Sequence, residues 1–326
     1  MKNLLKSIQN LFMFLKVLRI FRRDLKRTKK AAYEVIPRFE YALRRGNYDK
    51  NYWRIWHYST IVAAFFGPVL FRLHKIKLRK NDYHTFALLG ASTALFDRVY
   101  DEDLIDSIRF REVLQSPKIA DSILEKLVTS LLVDLINANQ QPELFSQFMI
   151  RMALAQEESK AQEDNTASKK FLENITRKKG GTGYLVFRSY VPVHLTSSEE
   201  EALMQIGNVV QMLDDLVDGW QDEKDGIRTL FHTYQTPQLF FQEIERQAAD
   251  METAIAYTDW NPRQRKLFVY SLRYCLIIGD IYSSRLTQTL KKTQRPLTEL
   301  EKHEAIFHTD FRFWVKLIRY IMREEY

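Results

Sequence analysis

The sequence predicts an all-α fold, on three observations. Glycine and proline number only 10 and 8 in 326 residues, well under the roughly 12% of an average chain, so few turns interrupt it. Apolar residues recur at helical spacing over most of the length. Alternating strand patterns are nearly absent, and Gly183 to Val193 is the one apolar run with β-like composition.

Helical periodicity spans residues 39–45, 82–95, 119–138, 142–155, 197–217, 237–256, 262–290 and 299–322. Ser197-Ser198-Glu199-Glu200-Glu201 opens one helix with a hydroxyl cap and acids that suit the helix dipole. Asn261-Pro262 opens another with an Asn cap and a Pro at the first helical position. Tyr58 to Leu73 is apolar but interrupted at Gly67-Pro68, which predicts a buried helix pair rather than a membrane span. The polar stretch from Gln156 to Lys170 reads as a loop or an exposed helix end. No repeat, flexible linker or low-complexity tract appears. The chain therefore reads as one all-α domain of ten or more helices over 31–326, preceded by a distinct helix over 1–30.

That first helix is basic. Residues 1–30 carry ten Lys/Arg against one acid, Asp24. Leu4, Leu5, Ile8, Leu11, Phe12, Leu15, Leu18 and Phe21 recur at helical spacing between them. Such a helix either lies on an anionic membrane or packs on its own domain. The whole chain carries +8, which suits phosphate-bearing ligands. Nucleic-acid binding would rest on charge alone and is not expected. The single cysteine, Cys275, excludes a disulfide scaffold and a cysteine-based zinc site. It fits a reducing, cytoplasmic compartment, at the inner face of the membrane if the first helix binds there. The seven histidines form no metal-ligand spacing. No nucleophile elbow, Walker, dinucleotide or EF-hand pattern is present.

The chemistry sits in two acidic clusters. In Gly207 to Asp222, GNVVQMLDDLVDGWQD, Asp214, Asp218 and Asp222 fall at i, i+4 and i+8 on one helical face, with Asp215 beside it. Like charges at this spacing repel and weaken a helix. Leu203, Ile206, Val210, Leu213 and Val217 carry the same helix into a core, so solvent alone does not explain the acids. Carboxylates are ligands for hard divalent cations, and Mg2+ is commonly held by a few carboxylates plus waters and substrate phosphates. The earlier cluster, LFDRVYDED, holds Asp97 and Asp101 at i, i+4 with Glu102 adjacent, after the apolar FALLGASTALF. Facing each other, the two clusters would rim one apolar cavity. Ionisation of an allylic diphosphate needs such an arrangement, with metal on the leaving group and aromatic walls around the cation.

QMLDDLVD resembles the second aspartate-rich motif of class I isoprenoid synthases, and Gly207, four residues before Gln211, fits that family. LFDRVYDE is similar to the first motif of the same superfamily. It departs at Arg98, where chain-elongating enzymes carry an Asp. The remaining DxxxD pairs, Asp97/Asp101 and Asp214/Asp218, resemble the squalene and phytoene synthase branch. The i, i+4, i+8 spacing also resembles the terpene cyclase metal motif. The sequence after the second motif, GWQDEKDGIRTLFHTY, looks like that of bacterial large-terpene synthases.

The resemblance implies a helical bundle around a central apolar cavity. It implies Mg2+, three ions or Mn2+ in their place, held by Asp97, Asp101, Glu102, Asp214, Asp215, Asp218 and Asp222, with Asp97, Asp101, Asp214 and Asp218 as the catalytic carboxylates. It implies diphosphate contacts from Arg177 and Lys178 at a helix break in RKKGG, where paired glycines approach the ligand, from Arg228, and from Arg319 and Tyr320. Arg109, Arg111 and Lys224 are further cations near the clusters, and Phe71 to Lys80 is a basic patch read as a solvated or membrane-facing helix end. The implied reaction is conversion of a prenyl diphosphate to a terpene with release of pyrophosphate. The alternatives are a condensing prenyltransferase and a non-catalytic prenyl-lipid-binding protein of the same fold. A homodimer is compatible with each.

Overall fold

The computed structural model describes residues 2–45, 52–101, 104–105, 107–116, 119–164 and 166–293. They are helical nearly throughout, and no strand occurs among them. The helices are α1 (Lys2–Arg45), α2 (Tyr52–His57), α3 (Ala63–Leu73), α4 (Lys80–Asp101), α5 (Ser107–Gln115), α6 (Ile123–Ala138), α7 (Pro142–Ser159), α8 (Lys169–Arg188), α9 (Ser197–Lys224), α10 (Pro237–Ala256) and α11 (Pro262–Thr293). Two compact units emerge. The first takes residues 2–18, 161–181 and 197–293, and the second takes 19–160 and 182–196.

In the first unit α9, α10 and α11 pack side by side. Local sequence sets their ends. Thr236 Oγ1 accepts from the backbone N–H of Leu239 ahead of Pro237, and Asn261 Oδ1 accepts from that of Gln264 ahead of Pro262. These are the cap and first-position proline that start helices. Trp260, in the turn between α10 and α11, donates through Nε1 to the buried Glu199 at 3.0 Å. The first helix packs here on Tyr270, Tyr274, Ile277 and Ile281 of α11 through Met13, Phe14 and Val17. Ile8, Phe12 and Leu15 of the expected apolar stripe stay exposed instead.

The second unit is built on aromatic packing. Phe66 meets Tyr184 and Phe187, and Phe86 meets Phe71 and Phe187. The break expected at Gly67-Pro68 does not occur. Pro68 lies inside α3, and the irregularity falls at Tyr58–Val62, a π-helical turn joining α2 to α3. Packing decides this. A Cβ on Gly67 would stand 2.4 Å from the Phe86 ring, and one on Gly90 of α4 would stand 2.3 Å from the carbonyl oxygen of Tyr58. The glycines are thus points where α4 presses on the helix pair, not breakers.

The β-like run Gly183 to Val193 is also helical as far as Arg188. Residues 184–191 within it are all buried, so burial rather than strand geometry accounts for the composition. The distinct helix expected over 1–30 continues to Arg45, 44 residues in all. Its Asp24 is fully buried, held by Arg72 Nη1 at 2.6 Å and by the Tyr83 hydroxyl at 3.0 Å.

Candidate functional site

The acidic cluster of α9 lies in the first unit. Asp214 and Asp218 are exposed, Asp222 is half-buried and Asp215 is buried. Gln211 reaches both ends of the adjacent pair, with Nε2 donating to Asp214 Oδ2 and to Asp215 Oδ1, each at 3.1 Å. The second oxygen of Asp215, Oδ2, is buried with no hydrogen-bond donor among the described residues. Such an atom in a native core needs an explanation, and an absent ion is one.

The electrostatics agree. Burial pushes the Asp215 carboxyl up to about 7, helped by Asp214 and Asp218 and opposed by Gln211 and Lys179. Asp222 is pushed up to about 8 by burial and then by Asp215, Asp218 and Asp214, again opposed by Lys179. Four carboxylates therefore feel one another, and Lys179 is the cation offsetting the two that are raised.

The local fold fixes this cluster from two sides. Gly180 of α8 and Gly207 of α9 cross in contact, and this brings Lys179 to the cluster. At the other end α9 stops at Gly226, whose φ is +74°. The N–H of Ile227 bonds back to the carbonyl of Asp222 at 2.8 Å and that of Gly226 to Glu223 at 3.3 Å, a Schellman closure that suits glycine. The chain then folds onto α9. Phe231 covers Gly219, where a Cβ would stand 2.4 Å from its ring. His232 Nε2 lies 2.9 Å from the Gly219 carbonyl, and its Nδ1 accepts from the Thr229 backbone.

The helix break expected in RKKGG does not occur: α8 runs unbroken through it, and Gly180 and Gly181 pack against α9. Arg177 is taken up by Glu201, Nη2 lying 2.7 Å from both carboxylate oxygens, while Lys178 is half-buried on the same helix. Arg228 lies beside Asp164, and its backbone N–H donates to the Gln162 carbonyl at 2.7 Å. Lys179 is the cation that spacing alone did not single out. Its signal is the glycine pair that follows it, read as a helix crossing.

The earlier cluster lies in the second unit. Asp97 is largely buried on α4, its Oδ1 accepting from Gln156 Nε2 at 2.6 Å and its Oδ2 lying 3.4 Å from Arg54 Nη2. Asp101 is the last residue of α4. The side chains of Asp101 and Arg98, and all of Glu102, Arg319, Tyr320 and the helix expected over 299–322, lie outside the described residues. Arg109 binds Glu125 at 3.0 Å and closes the start of α6, where Ser122 and Glu125 form a capping box. Arg111 lies 3.6 Å from Glu157. Cys275 on α11 is a half-buried free thiol, pushed up to about 11 by desolvation. Among the described residues no three Asp, Glu, His or Cys side chains converge as a ready metal cage.

No family model matches the chain, and no curated protein matches it. Among solved structures the chain is similar to one described as a UbiA homolog from Archaeoglobus fulgidus bound to Cd2+. The two share 12% identity over 80% of this chain and 91% of that one, with a TM-score of 0.36, a level below that of a shared fold.

Proposed function

We propose that the chain is a Mg2+-dependent class I terpene synthase acting on a prenyl diphosphate. The observation that carries the reading is the α9 cluster, where Asp215 and Asp222 are held up to about 7 and about 8 beside Asp214 and Asp218. Buried carboxyls raised by burial and by one another's charge are suited to divalent cations. The donor set is oxygen only, which fits Mg2+, and the buried, unbonded Oδ2 of Asp215 fits as well. The carboxylates do not form a cage alone, as expected where substrate phosphate oxygens and waters complete the coordination. Asp214, Asp215, Asp218 and Asp222 would hold the ions, Asp215 through its buried Oδ2. Bound Mg2+ would neutralise the leaving diphosphate as its bond to carbon breaks. Lys179 adds a fixed positive charge on the same side, and Gln211 orients Asp214 and Asp215.

The test is direct. Purified protein is incubated with geranyl, farnesyl, geranylgeranyl and longer diphosphates plus Mg2+, and hydrocarbon products and pyrophosphate are measured. Products no longer than the input diphosphate support a synthase of this kind, and longer ones indicate a condensing prenyltransferase. No turnover at any length, with no Mg2+-dependent thermal stabilisation lost in Asp214→Ala, overturns the enzyme reading.

A second reading draws on Asp97. Its carboxylate is engaged by Gln156 and Arg54, which suits a structural acid in a protein that binds prenyl lipids without turnover. Binding of a prenyl diphosphate that is unaffected by chelation of the metal, without product, would favour it.

A further inference from the structure

We propose that the second unit binds phosphate headgroups of an anionic membrane in a groove between α1 and the segment that enters α4. The groove has a volume of about 330 Å³. Arg27, Lys30, Arg79, Lys80 and His84 line it, over an apolar floor that includes Leu78. The carboxylate in its wall is Glu34, which lies 3.7 Å from Lys80. Asp82 is turned to the start of α4, where it accepts from the backbone N–H of Arg79. Asp24 is fully buried behind Tyr83 and bonded to Arg72, so it acts on Arg27 only as the smallest of the influences on that guanidinium.

The groove is built rather than incidental. Arg27 Nη1 donates to the Tyr83 hydroxyl at 3.2 Å, and its guanidinium lies 5.4 Å from the centre of that ring. The opposite wall is set by the end of α3. Lys75 adopts a left-handed φ of 59°, and the N–H groups of Lys75 and Ile76 bond back to Arg72 and Phe71, each at 2.9 Å. This turn delivers Arg79 and Lys80 to the side of α1.

The surroundings favour lipid over a soluble anion. Arg19, Arg22, Arg23, Lys26, Arg27, Lys29 and Lys30 of α1 are all exposed, as are Lys75 and Lys77. Each such cation near an anionic surface adds about 1 kcal/mol of attraction. Within this unit Arg19, Arg23 and Lys30 recur along α1 at steps of four and seven, a row of cations on one helical face. A basic helix face of this kind suits an anionic membrane surface. A nucleic acid would gain from exposed rings on which bases stack. The aromatic side chain of the groove, Tyr83, is buried and hydrogen-bonded instead. The proposal is independent of the catalytic reading, since its test measures binding alone.

The full chain is floated with vesicles of phosphatidylcholine, alone or with phosphatidylserine or phosphatidic acid. Binding is expected only with the anionic lipids. Lys30→Gln with Arg79→Gln is expected to weaken it by about thirtyfold, two charges' worth, and Lys80→Gln with His84→Gln gives an independent second variant. Arg22→Gln with Lys29→Gln removes the same charge from the other side of α1 and is expected to cost less than about threefold. Equal losses from both faces overturn the groove, as does failure to bind any anionic vesicle. Release by inorganic phosphate or pyrophosphate at low concentration overturns the lipid in favour of a soluble anion. Preference for RNA over vesicles overturns it in favour of nucleic acid.

Discussion

Gly180 and Gly207 meet backbone to backbone, so closely that a Cβ on Gly180 would stand 2.0 Å from the carbonyl oxygen of Gly207. A Cβ on Gly207 would stand 2.3 Å from the Gly180 carbonyl group. Neither neighbour can yield, because both are main chain. Gly207→Ala is expected to destabilise the protein by about 2–3 kcal/mol, as overpacking does. Gly183→Ala is the control on the same helix, α8. Its Cβ would meet nothing within 4 Å, so alanine should gain about 0.5–1 kcal/mol from helix propensity. Urea unfolding of the two variants reads the difference, and equal effects would show that the crossing is not tight.

The same crossing explains what the sequence could and could not tell. Residues 237–256 read as a helix and form one, because Thr236 caps it and Pro237 starts it. Asn261-Pro262 did the same for α11. The Asp214, Asp218, Asp222 row was legible because it needs only the rotation of one helix. Lys179 was not, since its nearness to that row depends on where α8 crosses α9. Pro68 misled for the same kind of reason. Local chemistry breaks a helix there, but packing of Phe86 on Gly67 keeps it intact. In both cases the deciding contact comes from a different helix.

Arg188 is fully buried, and it serves the end of α8. Its guanidinium donates to the carbonyls of Val191 and Val193 at 3.1 Å and of His194 at 3.2 Å. These bonds hold the chain reversal that follows the helix. Arg188→Met keeps most of the volume and strands three carbonyls, at a cost of about 3 kcal/mol or more. Thermal and urea unfolding should both record the loss. A melting temperature equal to that of the parent would mean that water replaces the guanidinium.

Lys179 and Arg177 are close in sequence and differ in what they face. Arg177 is occupied by Glu201, at a partly exposed pair of the kind that contributes little. Lys179 acts on Asp215 and Asp222. If the chain ionises a prenyl diphosphate, Lys179→Gln should reduce pyrophosphate release by about a hundredfold, as loss of one well-placed charge does. Arg177→Gln should cost less than about threefold. Equal losses, or the reverse order, would remove Lys179 from the site.

The raised carboxyls also give the protein a pH signature. Asp215 and Asp222 titrate in the folded chain at about 7 and about 8, against about 3.9 for an unperturbed Asp. Between those values the folded state keeps protons that the unfolded chain has released, so stability falls as pH rises. The loss begins near pH 4 and is complete once both groups have ionised, just above pH 8. Carboxyls held low, such as Glu125 at about 2, act below that window and in the opposite sense. The melting temperature should therefore drop between pH 6 and pH 9, and the drop should shrink in Asp215→Asn with Asp222→Asn. Mg2+ competes with those protons, so it should raise the melting temperature more at pH 9 than at pH 6. A drop of the same size in the double variant would show that these two groups do not cause it. Stabilisation by Mg2+ that ignores pH would show that the ion binds away from α9.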